Sequence, residues 1–159
     1  SYTPQLTLNQ VASRCLEGVD IQEEENDPEW GACSVLTNGL CPVYPVRPFG
    51  CRCMISAVHC SDTGFADMDP FSLTVSHVFL QYIEHLDGGG VFGNFNRVIP
   101  FFSDRENRAR YWENGFTDFK KPGILINHSI PLLLVPPEHQ KGIRPILNSI
   151  QKIFKTDER

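Results

Sequence analysis

"PFSLTVSHVFLQYIEHLD", residues 70–87, is the stretch on which the fold turns. Val75, Val78, Phe79, Tyr82, Ile83 and Leu86 recur at three- and four-residue intervals, and Leu73 and Leu80 widen the set. Such a period of about 3.6 brings residues to one side only on a helix. Asp69 supplies an N-cap carboxylate, Pro70 sits in the first turn where its missing N–H costs nothing, and Gly88 stops the helix. An apolar arc this wide predicts the central core helix. A narrow polar stripe remains, Thr74, His77, Gln81, Glu84 and His85, and the same pattern predicts that it faces solvent.

Downstream, "GGGVFG" (88–93) reads as a turn, "RVIPFF" within 95–102 as a short strand, and "DRENRARYWEN" as a helix capped by Ser103 and ended by Gly115. "GILIN" (123–127) and "IPLLLVP" (130–136) read as strands, the second continuous enough in apolar residues for burial on both faces. A last helix is expected from near Pro145, with Ile143, Ile146, Leu147, Ile150, Ile153 and Phe154 as its stripe. Upstream, "TLNQVASRCLE" (7–17) carries a capping box, Thr7 with Gln10, and ends before Gly18. Residues 52–59, "RCMISAVH", have the length of a strand.

Between these lies "GLCPVYPVRPFGCRCMISAVHC" (39–60), with four of the six cysteines. All six, Cys15, Cys33, Cys41, Cys51, Cys53 and Cys60, fall in the first 60 residues. Zinc is disfavoured because Cys51 and Cys53 have one residue between them and His59 adjoins Cys60. A thioredoxin-type pair is absent, there being no Cys-x-x-Cys. Cys41 and Cys51 are spaced as in a twin-cysteine helical hairpin, but Pro42, Pro45 and Pro48 interrupt any such helix. The even count then predicts a disulfide framework of open connectivity. Asn127-His128-Ser129 is a glycosylation sequon, which agrees with a secretory route.

The expected architecture is α+β: one domain over 1–159, with a disulfide-stapled irregular part (1–60) packed on a cysteine-free core (61–159) of about four helices and a small sheet. The chain has a net charge of −5 and a pI of about 5.5, so no basic face for nucleic acid is expected. No apolar run reaches membrane-spanning length. Seven acids and no Lys or Arg lie between Cys15 and Val46, while the segment from Asp104 holds ten bases against seven acids. Opposite ends of this kind suit docking of partners.

Candidate chemistry is sparse. His77 and Glu84 share a helix face and are the candidate acid–base or ligand pair. Asp62, Asp67 and Asp69, like the acidic run 23–27, offer oxygen ligands for calcium, without EF-hand spacing. Phe92 and Phe95 in the glycine-rich loop are candidate ligand contacts. No cofactor motif is present, and no Gly-x-Ser-x-Gly elbow. The sequence therefore predicts a secreted or luminal, non-enzymatic binding or assembly module that meets a protein partner or further subunits. The alternative is a small secreted hydrolase using His77 and Glu84 or the Asp62–Asp69 loop. A carrier of apolar ligands, suggested by eleven phenylalanines, is a third reading.

Overall fold

A computed structural model describes residues 3–21, 33, 35–38, 40–58, 67–113, 115–116 and 119–157, with backbone only for 154–157. The run 23–27, Asp62 and Cys60 lie outside the described residues.

Helix α1 (Leu8–Leu16) forms as its capping box dictates. The Thr7 hydroxyl accepts from the Gln10 N–H at 3.2 Å, and the Gln10 side chain accepts from the Thr7 N–H at 2.9 Å. Gly18 closes it at a φ of 67°, a conformation glycine reaches without strain. After a 3-10 turn (Tyr44–Val46) comes α2 (Phe49–Cys53), then the long helix α3 (Pro70–Leu86), capped by the Asp69 carboxylate on the Ser72 N–H at 2.8 Å. Strand β1 (Val91–Gly93) leads to α4 (Phe95–Ser103) and α5 (Arg105–Glu113). Strand β2 (Ile124–Ile126) pairs antiparallel with β1, Val91 opposite Ile126 and Gly93 opposite Ile124. A 3-10 turn (Pro137–His139) runs into α6 (Gln140–Asp157).

Two apolar clusters hold these elements. In the first, Val78 of α3 meets Ile143 and Ile150 of α6, with Phe71, Val75 and Leu133 packed around them. Gly142 permits this approach: a Cβ there would sit 2.8 Å from the Phe71 ring. In the second, Phe101 of α4 meets Phe116 and Ile124, with ring centroids of Phe101 and Phe116 at 5.3 Å. Burying a phenylalanine contributes about 1.5–3 kcal/mol, so this small knot outweighs the six-residue sheet beside it.

The stapled architecture is overturned. Six helices and a two-stranded sheet make the α+β fold among the described residues, and no disulfide joins them: Cys15, Cys33, Cys41, Cys51 and Cys53 are all free thiols. The cysteine segment is fastened by arginine instead. Arg52 donates from Nε to the Arg47 carbonyl and from a terminal nitrogen to the Pro45 carbonyl, both at 3.0 Å. The Arg47 guanidinium lies 3.8 Å from the Tyr44 ring centroid. Three prolines set the turn; a planar fork then ties its ends together.

Five local expectations also change. Residues 52–58 are no strand, because Arg52 and Cys53 complete α2; His59 lies outside the described residues. "RVIPFF" lies in α4: Phe95, Val98, Phe101 and Phe102 recur at helical spacing, and β1 forms just before it. The cap of α5 is Asp104 rather than Ser103, its carboxylate accepting from the N–H groups of Glu106 and Asn107. Residues 130–136 form no strand, and α6 begins at Gln140, so Pro145 lies one turn inside it.

The free thiols differ in what surrounds them. Burial pushes the Cys51 thiol up, the neighbouring Cys33 and Cys41 add to this, and Arg47 opposes it. Cys51 therefore stays protonated to higher pH than an ordinary thiol and is half-buried, while Cys15 and Cys33 are exposed. Without reductant, iodoacetamide is expected to label at least these five cysteines. Peptide mapping over a pH series should show Cys51 labelled after Cys15, with the gap closing at alkaline pH. Equal rates at neutral pH would refute the ordering.

Candidate functional site

Most of the polar stripe of α3 does not face solvent: His77 is half-buried, and of its five residues His85 alone is exposed. Thr74, Ser76, Gln81 and Glu84 are buried, whereas Leu73, Ile83 and Leu86 are exposed. Burial of polar groups requires partners, and they are present in number. Glu84 accepts from the Asn9 N–H at 3.1 Å and the His128 N–H at 3.0 Å. Asn9 donates from its side chain to the carbonyls of Gln81 and His128. Gln81 donates to the Asn9 side-chain oxygen and to the Leu132 carbonyl, and accepts from the Leu134 N–H at 2.9 Å. Its amide thus treats Leu132 and Leu134 as a neighbouring strand would. Gln10 donates to His128 Nε2 at 2.9 Å, which makes that nitrogen the acceptor and places the proton of a neutral ring on Nδ1. The stripe is the seam joining α1, α3 and the segment 127–134.

Held in this way, the extended run 132–136 stands beside the N-terminal half of α3 and encloses a groove of about 500 Å³. Leu73, Leu132, Leu133, Leu134, Val135 and Pro136 give it apolar walls. Leu73 and Leu132 remain 40% and 42% exposed there. Its polar points are His77, Thr74, Glu138 and His139. Burial pushes the His77 imidazole down, so it is neutral at physiological pH. Thr74 Oγ1 lies 2.8 Å from His139 Nδ1 and also donates to the Pro70 carbonyl at 3.2 Å. With its one proton on Pro70, Thr74 accepts from His139 Nδ1–H.

Of the sequence candidates among the described residues, only His77 lines this groove. Glu84 lies two turns along α3 with both oxygens on backbone N–H groups, so the two do not share a cleft. Phe92 is in β1 opposite Leu125, and Phe95 opens α4, both half-buried. Asp69 is the α3 cap, its pKa lowered by the N–H and hydroxyl of Ser72. The Asp67 carbonyl and N–H pair with Ala57 N–H and Ser56 Oγ, which ties its backbone to residues 56–57. No group of three or more His, Cys, Asp or Glu placed to hold a metal occurs among the described residues. Asn127 is buried, and its amide nitrogen donates to the Asp87 carbonyl and carboxylate at 3.1 and 2.8 Å. A glycan on that nitrogen would take the place of one of those N–H groups. The groove's leucines and His139 escaped the sequence reading; the only signal was the apolar run 130–136, which reads equally as a buried strand.

The chain matches no protein-family model, no curated protein and no solved structure. No helix among the described residues is long and apolar enough to cross a membrane.

Proposed function

We propose that the protein is a non-enzymatic binding module that seats an apolar segment of a protein partner in the groove between α3 and residues 132–136. The observation that carries this reading is the open apolar groove itself, walled by leucines that the fold positions but leaves partly exposed. Leu40, Tyr44, Val46, Met54 and Ile55 add a second exposed apolar stretch around α2, which suits assembly into a larger complex. A neutral His77 and a partnered Thr74 give the groove orienting hydrogen bonds, and the exposed Glu138 adds an acidic point to its lining. An extracellular or luminal setting now rests on the Asn127 sequon alone, because the free thiols remove its stronger argument. No observation favours hydrolysis, since His77 and Glu84 face separate surroundings.

The test is recovery of a partner from the native source with the wild-type chain and with a Leu73→Asp/Leu132→Asp variant. Both positions are partly exposed, so the variant is expected to keep its far-UV spectrum. The partner should bind the variant about tenfold less or weaker, as loss of two apolar anchors implies. Equal recovery on both chains would remove the groove from the function.

A further inference from the structure

The other end of α3 carries a second concavity, independent of the groove. It has a volume of about 340 Å³ and lies where Asp87 and Gly88–Gly90 meet the C-terminal end of α5. Trp112 stands on its wall and is 80% exposed. A large aromatic ring left this open contributes nothing to the core, and its edge contact with Tyr111, at 5.1 Å, is too local to need an indole. Around it the pocket carries the carboxylates of Asp87 and Glu113, the glycine backbone and the exposed aliphatic Leu86; among the described residues no Lys or Arg lines it. The walls are rigid. Tyr111 donates to one Asp87 oxygen at 2.5 Å and Asn127 to the other at 2.8 Å, with the Tyr111 hydroxyl pushed up to about 12 by that bond. Gly115, at a φ of 64°, lies against Gly89, and the Phe116 N–H donates to the Gly89 carbonyl. Gly90 faces the Asp87 carboxylate so closely that a Cβ there would collide with it.

An aromatic face, two carboxylates and an aliphatic wall share one complementary ligand chemistry. The π face attracts a cation, the carboxylates set a negative potential inside a concave surface, and the leucine accommodates methyl or methylene groups. We infer that this pocket binds an organic ammonium group, with the Trp112 indole as its platform and Glu113 as its exposed counter-charge. A free alkylammonium and the ammonium of a lysine side chain, methylated or not, both supply that chemistry. An anion is repelled by both carboxylates. A neutral sugar could stack on the indole but would gain nothing from the charge.

The test is a proton–nitrogen NMR titration of the full chain, read at the Trp112 indole N–H and the Gly88–Gly90 amides. The probes are tetramethylammonium, N-acetyl-lysine amide, its trimethylated form, and neutral tert-butanol and methyl glucoside as controls. Saturable shifts confined to these signals are expected with the ammonium probes and not with the neutral ones. Tighter binding of the lysine derivatives than of tetramethylammonium identifies a side chain as the source; the reverse order identifies a free amine. Trp112→Ala should weaken binding about tenfold, and Glu113→Gln by a smaller factor that shrinks in salt. Both residues are exposed, so neither variant endangers the fold. Shifts with methyl glucoside but not with ammonium would overturn the proposal in favour of a polyol site. Linear, unsaturable shifts with every probe, or full affinity in Trp112→Ala, would overturn it outright.

Discussion

Replacing Glu84 with alanine is expected to lower the stability of the fold by about 3–5 kcal/mol. The carboxylate is 2% exposed and takes the N–H of Asn9 on one oxygen and the N–H of His128 on the other. Hydrogen bonds to a charged acceptor contribute about 1.5–3 kcal/mol each, and truncation leaves two donors facing a cavity. Glu84→Gln separates the two effects. Its volume is nearly unchanged, its oxygen serves one N–H, and its NH₂ confronts the other, so about 2 kcal/mol is expected to be lost. Urea unfolding supplies the measurement, read as a shift of midpoint at constant slope. Alanine should also lower the melting temperature by roughly 10 °C in a chain of this size. A loss below about 1 kcal/mol would mean that water reaches Glu84 and that α1 is not pinned through it.

This carboxylate also shows where sequence reading reaches its end. Local rules located α1 and α3 to within a residue: the Thr7 and Gln10 box, the Asp69 cap and the stops near Gly18 and Gly88 all act within one turn. Periodicity separates the two sides of a helix, but it does not say which side meets the protein. On α3 the partners of the polar side, Asn9 and Leu132, are 72 and 51 residues from Gln81 in sequence. Nothing local distinguishes such a seam from a solvated stripe. The same gap explains "RVIPFF", where six residues fit a strand or two helical turns, and only packing against Phe116 and Ile124 chooses. The cysteines failed for a related reason. Their count suggested pairing, whereas pairing depends on geometry, and Cys51 and Cys53 sit on the one short helix α2. The groove was least legible of all, since it needs α3, the 132–136 segment and the 3-10 turn at His139 in one place.

Substitution of Gln81 links that seam to the groove, and its effect is expected to be nearly as large. Gln81→Met keeps the length and bulk of the side chain but abolishes its bonds to Asn9 Oδ1, the Leu132 carbonyl and the Leu134 N–H. With three buried partners left unmet, a loss of about 2–4 kcal/mol is expected on urea unfolding. Gln81→Glu should be at least as costly, because a carboxylate has no N–H for Leu132 and brings a charge into a buried position. Asn9→Ala and Gln81→Met share one network, so their effects should fall short of additive by about 1 kcal/mol in a double-mutant cycle. The functional consequence follows from the geometry. Leu132 and Leu134 form a groove wall only because the Gln81 amide holds their backbone as an adjacent strand would. Below the melting temperature of Gln81→Met, where the chain remains folded, partner retention should already fall about tenfold, the effect of losing a pre-ordered binding surface. Retention at the wild-type level in a folded Gln81→Met chain would show that the wall stands without its clamp. The site would then owe its shape to Leu133 and Val135, which are anchored in the Val78 cluster.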